Sequence, residues 1–284
     1  MSEKNAIIEV KCLNKIKSGK KVLDNINICF LKNQKTSIIG ETGSGKSTLL
    51  RCMAGLEQPD NGSLSFNGKK ILGAEEQLIP GHDKIAFLSQ HFELRNNYRV
   101  SEVLAHSNLM ENDEAKVIYQ LCDITHLYDR WTDELSGGER QRIALAKLLT
   151  TKPEVLLLDE PFSNLDAIHK NQIKHLINDI SSKLAVNVIM VSHDINDLIS
   201  WSDRIIILKN GKILQEGKPD QLYHYPKDEY CAELMGTFQL LDHQSGLLNS
   251  IINVQLTVNE KLLIRPSYFT FQKSEGVESN AVIT

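Results

Sequence analysis

Eight consecutive residues, Gly40-Glu41-Thr42-Gly43-Ser44-Gly45-Lys46-Ser47, carry the strongest chemical signal in the chain. They fit the pattern GxxxxGK[ST]. Glycines at those positions let backbone N–H groups curl around phosphate oxygens, and a helix starting at the lysine adds donors and a favourable dipole. The flanks agree: Ser37-Ile38-Ile39 reads as a strand, and Thr48-Leu49-Leu50-Arg51-Cys52-Met53-Ala54 reads as a helix stopped by Gly55. Lys46 is placed to neutralise β- and γ-phosphates, and the Ser47 hydroxyl to ligate Mg²⁺. The alternative is a glycine-rich turn that merely caps a helix. Agreement of every fixed position and both flanks argues against it. Gly40 through Thr48 are therefore the candidate phosphate-binding residues.

A second signal is Leu156-Leu157-Leu158-Asp159-Glu160, two carboxylates at the end of an apolar run. Ligands of open parallel sheets bind at the carboxyl ends of the strands. There Asp159 could hold Mg²⁺, directly or through water, and Glu160 could point at a water in line with a γ-phosphate. Taken alone, the pair reads almost as well as two solvated carboxylates. The phosphate loop tips the reading towards phosphoryl transfer.

The elements that must position these residues are short aliphatic runs: Ser37–Ile39, Ile85–Leu88, Val155–Leu158, Val188–Val191 and Ile205–Leu208. Continuous branched runs suit strands buried on both faces of a parallel sheet. Between Asp166 and Leu184, apolar residues at Ile173, Leu176, Ile177, Ile180 and Leu184 line one helix face. The alternation predicts an α/β fold with a mainly parallel sheet. With 284 residues, 41% hydrophobic and 24% charged, the chain can bury a large core, and a net charge of −4 disfavours binding of nucleic acid through bulk positive charge. Five scattered cysteines without a CxxC pair argue against structural zinc and a disulfide framework, and fit a reducing compartment. No apolar run is long enough to span a bilayer.

Leu135-Ser136-Gly137-Gly138-Glu139 lies between the phosphate loop and the acidic strand and opens another helix. With that motif the chain resembles the nucleotide-binding subunits of ATP-binding cassette (ABC) transporters over roughly residues 6–238. Gln90 matches the family's Q-loop, Ser163-Asn164-Leu165-Asp166 its D-loop, and His193 its switch histidine. The resemblance implies a P-loop NTPase core, an N-terminal antiparallel β subdomain and an inserted helical subdomain at about 96–148. It also implies ATP and Mg²⁺ as ligands, with Ser47, Gln90 and Asp159 at the metal. Lys46, Gln90, Glu160 and His193 would carry hydrolysis, His193 bonding the γ-phosphate and helping to hold Glu160 and the water. Ser136, Gly137 and Gly138, with Asp166, would meet ATP held by a second copy of the chain, arranged head to tail. Transmembrane permease subunits, and through them an extracytoplasmic solute-binding protein, would be the other partners. The expected location is peripheral, at the cytoplasmic face of the membrane.

The chain departs from that family in two places. Many members carry an adenine-stacking aromatic about 29 positions before the phosphate-loop lysine; here Ile16 and Lys17 stand there. The run after Gln90, His91-Phe92-Glu93-Leu94-Arg95-Asn96-Asn97-Tyr98-Arg99-Val100, is more polar than in related importers. Near the C-terminus, the stretch 217–226 resembles the end of importer cassettes. Leu263-Ile264-Arg265-Pro266 resembles an element of their small appended regulatory barrel, OB-like in fold. The expected organisation is a nucleotide-binding domain over 6–240 and a short β-rich extension over 246–284, a partial regulatory barrel or a β-hairpin packed on the core. The leading reading is an ATP-hydrolysing importer subunit. Its rivals are an exporter or lipoprotein-release ATPase and a soluble ABC ATPase working on DNA, ribosomes or assembly machinery.

Overall fold

The computed structural model describes residues 5–92, 94–163, 165–242, 261–265, 269–272 and 280–283. In chain order the elements are β1 (Ala6–Lys17), β2 (Lys20–Leu31), β3 (Thr36–Ile39), α1 (Lys46–Met53), β4 (Asn61–Phe66), β5 (Lys69–Lys70), β6 (Ile85–Leu88), α2 (Val100–Ser107), α3 (Asn112–Leu121) and α4 (Gly137–Leu149). They continue with β7 (Val155–Asp159), α5 (Ala167–Lys183), β8 (Asn187–Ser192), β9 (Arg204–Lys209), β10 (Lys212–Gly217), α6 (Pro219–His224) and α7 (Glu229–Leu234). The last are β11 (Gln239–Asp242), β12 (Lys261–Ile264), β13 (Phe269–Gln272) and β14 (Asn280–Ile283). All five expected strands are present. The expected helix is α5, capped by Asp166 and ending at Leu184.

Two compact units divide the chain, residues 1–221 and 222–284. In the first, a six-stranded sheet runs β10-β9-β3-β8-β7-β6. Its neighbours are parallel except for the antiparallel β9–β10 pair. A second, antiparallel sheet runs β2-β1-β4-β5. The fold is thus the α/β arrangement read from the sequence. Every residue of β7 and of β3 is buried, which is why those strands read as unbroken apolar runs rather than alternating ones. Ile173, Leu176, Ile177 and Ile180 form the buried face of α5, each stabilising by about 1.5–3 kcal/mol.

The register brings the strand ends level. Ile39 pairs with Ser192, Asp159 with Val191, and Leu88 with Leu158. The segments leaving β3, β8, β7 and β6 therefore emerge side by side along one edge, with strand axes about 4.8 Å apart.

In the second unit, β11 pairs with β12 and β13 with β14, both antiparallel. The sequence-based division near Leu240–Gly246 falls on β11 and on residues outside those described, as does the strand-like stretch Ile251–Leu256. Arg265 is fully buried. Its guanidinium donates to the carbonyls of Tyr223 (2.9 Å), Ala232 (3.2 Å), Gly236 (3.0 Å) and Thr237 (3.3 Å) and lies 4.1 Å from the Tyr223 ring centroid. One planar fork thus satisfies carbonyls from the segments around α6 and α7. Arg265→Ala removes the donor from the buried carbonyl of Ala232, at about 1–3 kcal/mol, and from three partly buried carbonyls at less. Limited proteolysis of the full-length protein should then cut within residues 222–284 more than about tenfold faster than in the parent. Equal cutting rates would remove Arg265 as the tie of this unit.

Candidate functional site

The phosphate loop joins β3 to α1, and two of its glycines answer a steric demand. Gly40 and Gly45 have φ of 156° and 105°, and a Cβ on them would lie 2.1 Å from the Leu208 carbonyl oxygen and 2.4 Å from that of Val22. The loop is thus pressed between β9 and β2, and only glycine fits either position. Lys46 is 5% exposed. Its ammonium donates to the carbonyls of Gly40 and Glu41, both at 2.8 Å. Burial lowers its pKa, and the charges of Glu160, Asp159 and Glu41 oppose that shift. The Ser44 hydroxyl is buried without a hydrogen-bond partner in the loop.

Asp159 closes β7 and is 7% exposed. It accepts from the Ser47 hydroxyl at 2.9 Å. Burial pushes its pKa up, against the lowering effect of that hydrogen bond. Glu160 takes a left-handed conformation, φ 49°. For a residue with a Cβ this costs about 1–3 kcal/mol and is found at functional sites. The turn is held by the Glu160 N–H donating to Val191 O (3.0 Å) and the Ser163 hydroxyl donating to Glu160 O (2.9 Å). It puts the Glu160 carboxylate 2.9 Å from His193 Nδ1. Gln90, Glu160, Ser163 and His193 line one cavity of about 300 Å³.

The signature sequence lies elsewhere. Ser136 caps α4 through a reciprocal pair: its hydroxyl accepts from Glu139 N–H at 3.3 Å, and the Glu139 carboxylate accepts from Ser136 N–H at 2.7 Å. Ser136 and Gly137 are exposed, and neither lines the Glu160–His193 cavity. Gly138 is buried, and a Cβ there would lie 3.0 Å from the His169 ring. Asp166 caps α5, accepting from Ile168 N–H (2.9 Å) and His169 N–H (3.0 Å) and meeting His169 Nδ1 at 2.6 Å. These bonds, the His169 backbone bond first, hold its carboxyl below the usual range. Asn164 and Glu93 are not among the described residues.

Sequence reading missed three residues around this site. Gln141, fully buried on α4, donates to Pro161 O at 2.5 Å. It ties α4 to the segment after Glu160, and its place in the LSGGERQR run is the signal that could have found it. Asp197 and Lys170 also line the cavity. Asp197 is 4% exposed and sits between Lys170 (3.0 Å) and Lys174 (3.1 Å) of α5. It stands four residues after His193, so this ion pair pins the histidine's loop to the helix that follows the D-loop.

A glycine-rich loop between a parallel strand and a helix, level with an acidic strand end, defines a P-loop nucleotide-binding protein. The family model described as ABC transporter matches residues 23–163. The glucose import ATP-binding protein GlcV of Saccharolobus solfataricus is 37% identical over 245 residues, covering 83% of this chain and 69% of the relative. The Fe(3+) ions import ATP-binding protein FbpC 2 of Pectobacterium atrosepticum is 31% identical, covering 95% and 82%. Among solved structures, the dimeric post-hydrolysis state of the ATP-binding cassette MJ0796 bound to ADP and Pi superposes with a TM-score of 0.64 at 28% identity, covering 74% of this chain and 98% of that one. The chain belongs to the ABC transporter family, as an ATP-binding, ATP-hydrolysing cassette.

Asp197→Asn weakens the anchor of the His193 loop without touching the phosphate loop. We expect ATP hydrolysis to fall about tenfold while calorimetric nucleotide affinity holds, and Asp197→Glu to retain most activity. A matching loss of affinity would instead make Asp197 part of the general scaffold.

Proposed function

We propose that this chain is the ATP-driven motor of a solute importer, working as a head-to-tail pair beneath a separate permease at the cytoplasmic face of a membrane. The observation that carries this reading is a divided site. Phosphate loop, acidic strand end and His193 emerge from level, neighbouring strands, whereas Ser136 and Gly137 sit exposed at a helix start outside that cavity. A helix N-terminus with free N–H groups is an anion site. A second copy can present it to the outer face of a triphosphate, so that ATP joins the two chains. Asp166 takes its place along the same interface. The dimeric MJ0796 cassette supports this arrangement, and the import names of the glucose and Fe(3+) relatives support the direction. No helix among the described residues is long and apolar enough to cross a membrane, in keeping with a separate permease. The polar run after Gln90 is the surface we assign to that permease, through which an extracytoplasmic solute-binding protein would act.

The residues present fit Mg²⁺. The Ser47 hydroxyl and Asp159 carboxylate are hard oxygen donors already 2.9 Å apart, with Gln90 the third candidate. Among the described residues there is no group of three or more His, Cys, Asp or Glu able to hold a metal, which suits an ion that shares its coordination with substrate phosphates and water. When bound, the metal neutralises charge on the β- and γ-phosphates. The raised pKa of Asp159 means that protons compete with Mg²⁺ there at a higher pH than at an ordinary aspartate.

The chain's own groups divide the remaining work. Lys46 and the loop N–H groups, with Glu41, Thr42, Ser44 and Thr48 framing them, bind the phosphates. Glu160 orients the attacking water, and His193, at 2.9 Å from that carboxylate, holds it in place and bonds the γ-phosphate.

Glu160→Gln keeps the shape and the phosphate contacts but loses the charge that orients water. ATP should still bind, turnover should fall to near background, and size-exclusion chromatography with ATP should show a dimer. Hydrolysis near the parent rate would refute the role. Ser136→Arg should block hydrolysis yet spare binding of a fluorescent ATP analogue to dilute monomer. If monomer binding disappears too, Ser136 contacts nucleotide within its own chain and the paired site is wrong.

A further inference from the structure

The hairpin joining β1 to β2 carries no aromatic between Asn14 and Asp24, yet it is not idle. The Lys17 ammonium donates to the Thr48 hydroxyl at 3.2 Å and to the Glu57 carboxylate at 2.8 Å. Thr48 is buried in the first turn of α1, two residues beyond Lys46. Two cations therefore serve one phosphate loop from different places. Lys46 sits at its start, on the carbonyls of Gly40 and Glu41. Lys17 sits further along, at the first helical turn.

Three features make Lys17 more than a surface ion pair. An ammonium has three donors, and Thr48 and Glu57 take two of them. Glu57 is shared, since Arg51 Nε also approaches it at 3.4 Å. One carboxylate shared between Lys17 at the first turn of α1 and Arg51 in its last turn does not fully neutralise Lys17, and the dipole at that first turn favours anions. Finally, loop and first-turn N–H groups cradle the α- and β-phosphates, while the loop lysine reaches the β- and γ-phosphates. A cation at Thr48 thus lies at the α-phosphate end.

We propose that Lys17 is a nucleotide-binding residue whose ammonium grips the α-phosphate, supplying ionic affinity at a site where no ring is present to stack on the base. This rests on the phosphate loop being the nucleotide site. It adds that binding is phosphate-weighted, so that purine identity matters little and a nucleoside diphosphate keeps the contact.

Calorimetric titration of MgATP, MgADP and MgGTP into full-length protein tests it. Lys17→Met keeps the stem and removes the charge. It should weaken all three about tenfold, the scale of one charge-assisted hydrogen bond, with an unchanged melting temperature. Lys17→Arg should restore most of the affinity. Glu57→Gln separates binding from scaffolding: a phosphate-binding Lys17, released from its acid, holds or tightens affinity, whereas a Lys17 that only positions Glu57 predicts the same loss as Lys17→Met. Unchanged affinity in Lys17→Met, a loss confined to one base, or a parallel loss in Glu57→Gln overturns the assignment. Failure of the unaltered protein to bind any nucleotide would instead overturn the reading of the loop itself.

Discussion

Two opposite charges held out of water at one sheet edge set the terms for the rest of the molecule. Lys46 and Asp159 are both more than nine-tenths buried, and burial shifts each pKa towards the neutral form. Buried charges are tolerated only with close hydrogen-bonding partners. Here the partners are local: two loop carbonyls for the lysine and the Ser47 hydroxyl for the aspartate. The tight approach of Leu208 and Val22 leaves room only for glycine at positions 40 and 45 of the loop.

The second half of the site adds backbone strain to charge. Glu160 is left-handed because the chain must turn sharply out of β7 and still aim a carboxylate at the next strand's histidine. Backbone and side-chain bonds from Val191, Ser163 and Gln141 hold that turn from three sides. Four residues after His193, Asp197 pairs with two lysines of α5. The helix that begins after Asp166 is thus joined by ion pairs to the segment that follows His193.

The two ends of the nucleotide site are built differently. The phosphate loop and the acidic strand end rest on buried side chains, Lys46 and Asp159, whereas His193 beside them is exposed. The other end is a surface hairpin, where Ile16 is 48% exposed and Lys17 lies partly open to solvent. Neither residue belongs to the hydrophobic core that packs around α1.

Local chemistry was legible from sequence. The phosphate loop and the helix start at Ser136 act through backbone groups within a few residues, and the two acids at the end of β7 are adjacent in sequence, so residue types at fixed spacing are enough to declare them. The buried strands were legible too, because a strand covered on both faces must be an unbroken apolar run. Tertiary structure alone decided which strands are neighbours, and hence that segments after residues 39, 88, 159 and 192 share one edge. It alone paired Lys17 with Thr48, 31 positions away, and Lys170 with Asp197, 27 away. It also turned Arg265, part of a short motif, into a buried donor to four carbonyls of the second unit. An ion pair has no sequence period. Its partners are chosen by packing, and many lysines and acids along the chain would have read the same before folding.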